Sequence, residues 1–373
     1  MSAQLVIIDR PPRTISQFGN MITFVHKCTP MSNHFQSLLD SADKAPEIYQ
    51  ATSYWKNYER RILKDTANVD FSDFRSGKYP IYETFGFAER KFQPVRGWKE
   101  KLRIAGSALK RVFLDGKTIM PYDLDIRDIQ VMAYHHAELL SQLSGTPGPE
   151  NYSISNFGNP EDQFTIGSNL YNTLSLSYYI RLCFLNKHLT LNGNEVIIEL
   201  GSGSCHQIEV IKKLYPNITI LCFDLPGPLY LGERFMRGVF GSDQIVSSSE
   251  CMGWQDLSKV QKGKIHFFGN WQCELVQGFN YDIFWNAASF GEMEPKVVQH
   301  YLNIFSPGAK SIFLLQASKG KERHRVKDPI LFENYDEWVP GFQRIAIEKS
   351  YKIHKPMTAS GGYLQVVYKK KQQ

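Results

Sequence analysis

No run of apolar residues in this 373-residue chain approaches the roughly 20 that a membrane-spanning helix needs. The six cysteines, at 28, 183, 205, 222, 251 and 273, form no C-x-x-C pair and no zinc-like spacing, which sets aside a disulfide scaffold and a structural zinc. Internal repeats are lacking, and the one biased tract is the short basic end KKKQQ. The start, MSAQLVIIDRPP, carries an Asp and two prolines where an export signal needs an apolar core, so a cytoplasmic location is expected. Charge of one sign is also in short supply: the net +6 is modest for this length and its basic residues are scattered, which argues mildly against a nucleic-acid partner. A composition of 42% hydrophobic and 21% charged residues is that of a globular chain large enough to bury a sizeable core.

What is present is concentrated in Glu195 to Leu225, EVIIELGSGSCHQIEVIKKLYPNITILCFDL. An apolar run stops at Gly201-Ser202-Gly203. A segment of helical period follows, with Ile208, Ile211 and Leu214 on one face and Glu209, Lys212 and Lys213 on the other. A second apolar run, ITILCF, closes on Asp224. Strand, glycine turn, helix, strand and acidic residue form the half-Rossmann unit that holds an adenosine-containing ligand. The glycines let backbone approach the ligand, and the carboxylate accepts from ribose hydroxyls. A P-loop is excluded because no G-K-[ST] follows the turn. A nicotinamide site would need a third glycine, and His206 stands there instead. Glu199, two places before the first glycine, suits S-adenosyl-methionine, whose amino-acid end is cationic and which has no phosphates to cradle.

The rest of the chain frames this unit. Helical patterns lie at His34 to Leu39 and Ser53 to Leu63, and Arg90 to Arg111 holds eight Lys or Arg against one Glu, read as the outer face of a helix. A long helix is predicted from about Tyr122 to Gly145, a loop over 151–170 and an aromatic-rich helix from Tyr171 to Lys187. Strands follow at Ile265 to Phe268, Tyr281 to Trp285 and Lys310 to Leu315, a helix at Pro295 to Phe305, and two late strands at Arg344 to Tyr351 and Tyr363 to Tyr368. The expected fold is α/β: a Rossmann-like, seven-stranded class I methyltransferase sheet over residues 166–373, with a mostly helical N-terminal cap over residues 1–165 serving acceptor specificity.

The stretches IIELGSGSCHQIEVIKKLYPNITILCFDLPGPLYL, GKIHFFGNWQ and DIFWNAASFGEMEP resemble the sugar O-methyltransferases of bacterial polysaccharide gene clusters, over roughly residues 150–370. The family's members usually carry a glycine near Cys205 or His206, and this chain does not. The resemblance implies S-adenosyl-methionine as cofactor and a sugar or glycan acceptor, free or nucleotide-linked, with no nucleic-acid partner and no membrane span. Methylation of another small molecule or of nucleic acid, and a catalytically silent cofactor-binding scaffold, are the alternatives.

Candidate residues follow from these positions. Glu199, Gly201, Ser202, Gly203, Asp224, Leu225, Asn270, Trp271, Asn286 and Tyr178 are expected at the cofactor. A sugar hydroxyl needs a base on the edge that faces the methyl group, which points to Glu292 first, with capping of the next helix as its bland reading; His206 and His300 are weaker candidates. Ser289, Arg323 and Arg325 are expected at the acceptor. One carboxylate on that edge is too few for a metal ion, so none is expected.

Overall fold

The computed structural model describes residues 31–66, 71–76, 98, 126–319, 326–351 and 359–372. Arg323 and Arg325 lie outside the described residues, as does the basic stretch Arg90 to Arg111 except Trp98.

The chain enters through α1 (Met31–Asp43) and α2 (Ser53–Thr66), with the short turn Glu47–Tyr49 between them. The long helix α3 (Ile126–Ser144) ends before Gly145, whose φ of +68° stops helical progression. Where the sequence reads as loop, the structure forms a small hairpin of β1 (Phe164–Ile166) and β2 (Asn169–Tyr171). Three residues per strand are too few to show a period, so it left no signal. Asn172 then caps α4 (Thr173–Leu189) reciprocally with Ser175.

The βα series follows: β3 (Val196–Leu200), α5 (His206–Leu214), β4 (Thr219–Asp224), α6 (Pro226–Phe240), β5 (Ile245–Val246), α7 (Ser248–Cys251), β6 (Ile265–Gly269), β7 (Tyr281–Ala287), α8 (Pro295–Phe305), β8 (Ala309–Ala317), α9 (Asn334–Trp338), β9 (Phe342–Tyr351) and β10 (Ala359–Lys370). The sheet order is β5-β6-β4-β3-β7-β8-β10-β9, with β10 antiparallel to both its neighbours. This is the Rossmann-like α/β sheet expected, all seven strands included. The two-residue β5 is an eighth that adds in parallel to β6 at the edge.

Alternation along the strands sends side chains into two cores. Ile197, Ile220, Phe267, Ile283 and Phe313 pack on one face with α4, α5 and α6, while Ile198, Leu221, Phe268, Phe284 and Leu314 pack on the other with α8 and α9. Strand order reverses at β3, which pairs with β4 on one side and β7 on the other. The crevice at the carboxyl ends of these strands is therefore where an open sheet of this kind receives ligands. α1 and α2 pack on α6: Phe35 stacks on Tyr230 at 5.0 Å, and Ile62 lies so close over Gly227 that a Cβ there would sit 2.8 Å from it.

Candidate active site

The turn after β3 is shaped by three residues with positive φ: Gly201 at +79°, Gly203 at +54° and Cys205 at +58°. Gly201 is obligatory twice over, since a Cβ there would lie 2.7 Å from both Cβ and Oγ of Ser289. Cys205 occupies the position where the sequence lacks an expected glycine, and the structure shows why that position asks for one. It stands immediately before α5 in the left-handed region, with no side-chain cap bond. Its thiol is buried against Gly232 of α6, where a Cβ would come within 2.5 Å of Sγ. The glycine missing from the turn has its counterpart in the helix packed against it.

Asp224 ends β4 with one oxygen accepting from Gly203 N at 2.7 Å and the other from Leu225 N at 2.8 Å. Two backbone donors leave each carboxylate oxygen further lone-pair capacity. Burial pushes its carboxyl up to about 6, against the lowering pull of the backbone N–H groups. Glu199 is 4% exposed, and burial, with the nearby Asp224 charge adding to it, raises its carboxyl to about 8, while Arg181 opposes the rise. A buried carboxyl of this kind gains from a cationic ligand.

Above the turn lies a cleft of about 720 Å³, open to solvent and walled by Gly201, Asp224, Leu225, Asn270, Ser289 and Glu292 among others. Six sequence-predicted residues thus meet in one place, drawn from the ends of four strands. Asn270 is buried; its Nδ2 donates to the Tyr49 carbonyl at 2.8 Å and to the Tyr301 hydroxyl at 2.9 Å, and its Oδ1 has no partner among the described residues. Glu292 sits in a 3-10 turn and accepts from Trp55 Nε1 at 3.2 Å. It does not cap α8, because Glu294 holds that position and accepts from Lys327 N instead.

Several expectations need correcting. His206 is 1% exposed, stacked near Tyr178 at 6.2 Å and Phe235 at 4.8 Å, and burial holds it well below its ordinary pKa, with the Arg75 charge adding to the effect. It is part of the core beneath the turn rather than an acid or base in the cleft. His300 is not a wall of the cleft either; its Nε2 lies 2.7 Å from the Tyr49 hydroxyl. Asn286 is fully buried, donates to the Leu200 carbonyl at 2.8 Å and to Ser289 Oγ at 2.6 Å, and accepts from Gln316. That amide acts as a strut, with both of its N–H donors spent on its own turn. The Trp271 ring lies over Gly269, where a Cβ would be 2.3 Å from it, and is not on the cleft wall. Tyr178 likewise stands back from the cleft, with the Arg181 guanidinium 4.6 Å over its ring. Ser202 is buried in the turn with its Oγ unpartnered among the described residues.

Tyr49, Gln50, Ala51, Trp55 and Tyr301 also line the cleft, and none is signalled by a local motif. Tyr49 links three partners, since its hydroxyl, besides meeting His300, donates to Glu274 at 2.8 Å while its carbonyl holds Asn270. A patterning signal was available only for α2 and α8 as helices. Among the described residues no group of three or more His, Cys, Asp or Glu side chains is placed to hold a metal ion, and no helix is long and apolar enough to cross a membrane.

No protein-family pattern matches the chain, and no curated protein sequence matches it. Several solved methyltransferases superpose on about half of it. A proposed sarcosine dimethylglycine methyltransferase from Galdieria sulphuraria does so with a TM-score of 0.35 and 10% identity, covering 48% of this chain and 79% of that one. The TehB-like SAM-dependent methyltransferase from Corynebacterium glutamicum gives 0.33 and 12%, with 48% and 81% covered. The ribosomal protein L11 methylase from Lactobacillus delbrueckii subsp. bulgaricus gives 0.32 and 7%, with 52% and 79% covered. At these scores the likenesses carry no inference about chemistry, which rests on the residues of the cleft.

Proposed function

We propose that this protein binds S-adenosyl-methionine in the cleft and transfers its methyl group to a hydroxyl of a sugar or glycan, with the N-terminal residues 1–165 contributing acceptor specificity. The observation that carries the cofactor reading is Asp224. Its carboxylate ends β4, is fixed by the backbone of the glycine turn, and keeps lone pairs for two vicinal hydroxyls. The unpartnered Oδ1 of Asn270 suits an amino group on a nucleobase, and the buried Glu199 suits the ammonium of an amino-acid tail. No glycine-lined phosphate cradle is needed for such a ligand.

When bound, the cofactor supplies a methyl carbon on a cationic sulfur. Glu292 is the carboxylate on the facing edge, and it would take the hydroxyl proton as the methyl carbon passes from sulfur to the acceptor oxygen, the sulfur keeping the electron pair of the broken bond. The Trp55 N–H donates to its Oε2 and sets the carboxylate's direction. Ser289, held by Asn286 over Gly201, is placed to position the acceptor hydroxyl. Arg323 and Arg325 are proposed contacts for an acidic or nucleotide-linked acceptor. Sugar acceptors are favoured by the sequence resemblance, and the carboxylate and hydroxyl at the edge are compatible with them.

Calorimetry with S-adenosyl-homocysteine tests the cofactor reading: micromolar binding is expected, and none at all would sink it. Turnover assays with methyl hexosides and nucleotide sugars test the acceptor reading. Methylation of small non-sugar alcohols or of RNA in preference to every sugar would overturn it.

A further inference from the structure

We propose that the segment from Tyr49 to Trp55 is part of the nucleobase pocket, and that Tyr49 makes the pocket prefer an amino-purine to an oxo-purine by locking the Asn270 amide. The proposal rests on the S-adenosyl-methionine reading above.

An asparagine amide can present either its oxygen or its nitrogen to a ligand, and what decides is the hydrogen-bond partner on its other side. Asn270 has two such partners. Tyr301 is a hydroxyl, which pairs with either end. The carbonyl of Tyr49 only accepts, so Nδ2 must face it, and Oδ1 is left buried and unpartnered among the described residues in a side chain that lines the cleft. An unsatisfied buried acceptor is costly, and a ligand N–H removes the cost whereas a ligand carbonyl adds a repulsion. The selectivity of the pocket therefore depends on where the Tyr49 carbonyl stands. That position is set by the phenol of the same residue, bonded to Glu274 at 2.8 Å and to His300 at 2.7 Å. His300 thus acts as an anchor for the roof, two steps removed from the ligand. With the anchor cut, the carbonyl drifts, Tyr301 alone restrains the amide, and Asn270 can turn its NH2 toward an oxo group.

The test compares S-adenosyl-homocysteine with S-inosyl-homocysteine, in which an oxygen replaces the amino group of the base, by calorimetry on the full chain. Wild type is expected to favour the adenosyl ligand by roughly tenfold or more. Tyr49→Phe, which keeps the ring and loses both phenol bonds, should shrink that preference to about threefold or less, in part through tighter inosyl binding, and His300→Leu should move it in the same direction. Asn270→Ala should erase it. Since the ratio is taken within each variant, partial unfolding cancels and a merely structural role for Tyr49 would leave it unmoved. An unchanged ratio in both Tyr49→Phe and His300→Leu overturns the proposal, as does a wild type that binds both ligands equally. In either case the cofactor reading stands, whereas a wild type that binds neither ligand removes both.

Discussion

Along the floor of the cleft, Gly203 and Asp224 are 21 residues apart and meet through a backbone N–H; across its roof, Trp55 and Glu292 are 237 apart and Tyr49 and His300 are 251 apart, and both pairs meet through side chains. The floor is rigid because strand pairing, positive φ values and buried backbone donors all specify the same geometry. The roof joins apolar packing of Phe35 and Ile62 on α6 to a few polar contacts between residues far apart in the chain. Those polar contacts are individually worth about 1 kcal/mol.

The sharpest way to separate the two regions is Glu292→Gln. The amide can still accept from Trp55, so the roof stays in place while the base is lost. Turnover is expected to fall by about 10²-fold or more with S-adenosyl-homocysteine affinity nearly unchanged. Full turnover would remove Glu292 from the chemistry. On the floor, Asp224→Ala removes the acceptor for two hydroxyls and strands the Gly203 and Leu225 N–H groups. Affinity for S-adenosyl-homocysteine should drop by roughly 10- to 150-fold in calorimetry, at about 1.5 to 3 kcal/mol for hydrogen bonds to a charged group. A change below threefold would show that the floor does not hold a ribose.

Packing behind the floor is probed by Gly232→Ala, whose methyl would collide with the buried Cys205 thiol. A stability loss of about 1 to 3 kcal/mol is expected in urea unfolding. The double variant Gly232→Ala with Cys205→Gly should recover most of it, because the second change removes the thiol and relaxes a left-handed non-glycine residue. No recovery would mean that the two positions are not coupled.

The smallest effect is in pH. Glu199 is raised to about 8 and Asp224 to about 6, mainly by burial, above unfolded values of about 4. Between those limits the folded chain holds more protons than the unfolded one, so stability from these groups is full below the unfolded pKa and is lost as pH rises toward 8. The ligand-free melting temperature should therefore decline over that window, and Glu199→Gln should flatten the decline. A melting temperature that rises with pH in wild type and falls in the variant would reverse the assignment. Glu59 on α2, raised by burial to about 7, should add to the same decline from the roof side.

Legibility follows the same division. The glycine turn, Asp224 and the strand ends carrying Asn270, Ser289 and Glu292 were readable because each is a local pattern bound to a strand or helix boundary. His206 misled because a histidine at the start of a helix looks the same in sequence whether it faces solvent or, as here, lies under Tyr178 and Phe235. Asn286 misled for a related reason: an amide at a strand end can serve a ligand or brace its own turn, and the Leu200 carbonyl and Ser289 hydroxyl claim it. The hairpin of β1 and β2 and the edge strand β5 were too short to show a period.

By itself, the order of residues determined the mostly parallel sheet, its seven main strands and an acidic strand end facing a glycine turn, since hydrophobic period and turn chemistry act over a few neighbouring residues. Tertiary structure alone decided that Tyr49 would fix the Asn270 amide, that Trp55 would hold Glu292, and that Gly232 would make room for Cys205. Those outcomes depend on which surfaces meet once helices pack on the sheet, and no local pattern records the distance between residues that are far apart along the chain.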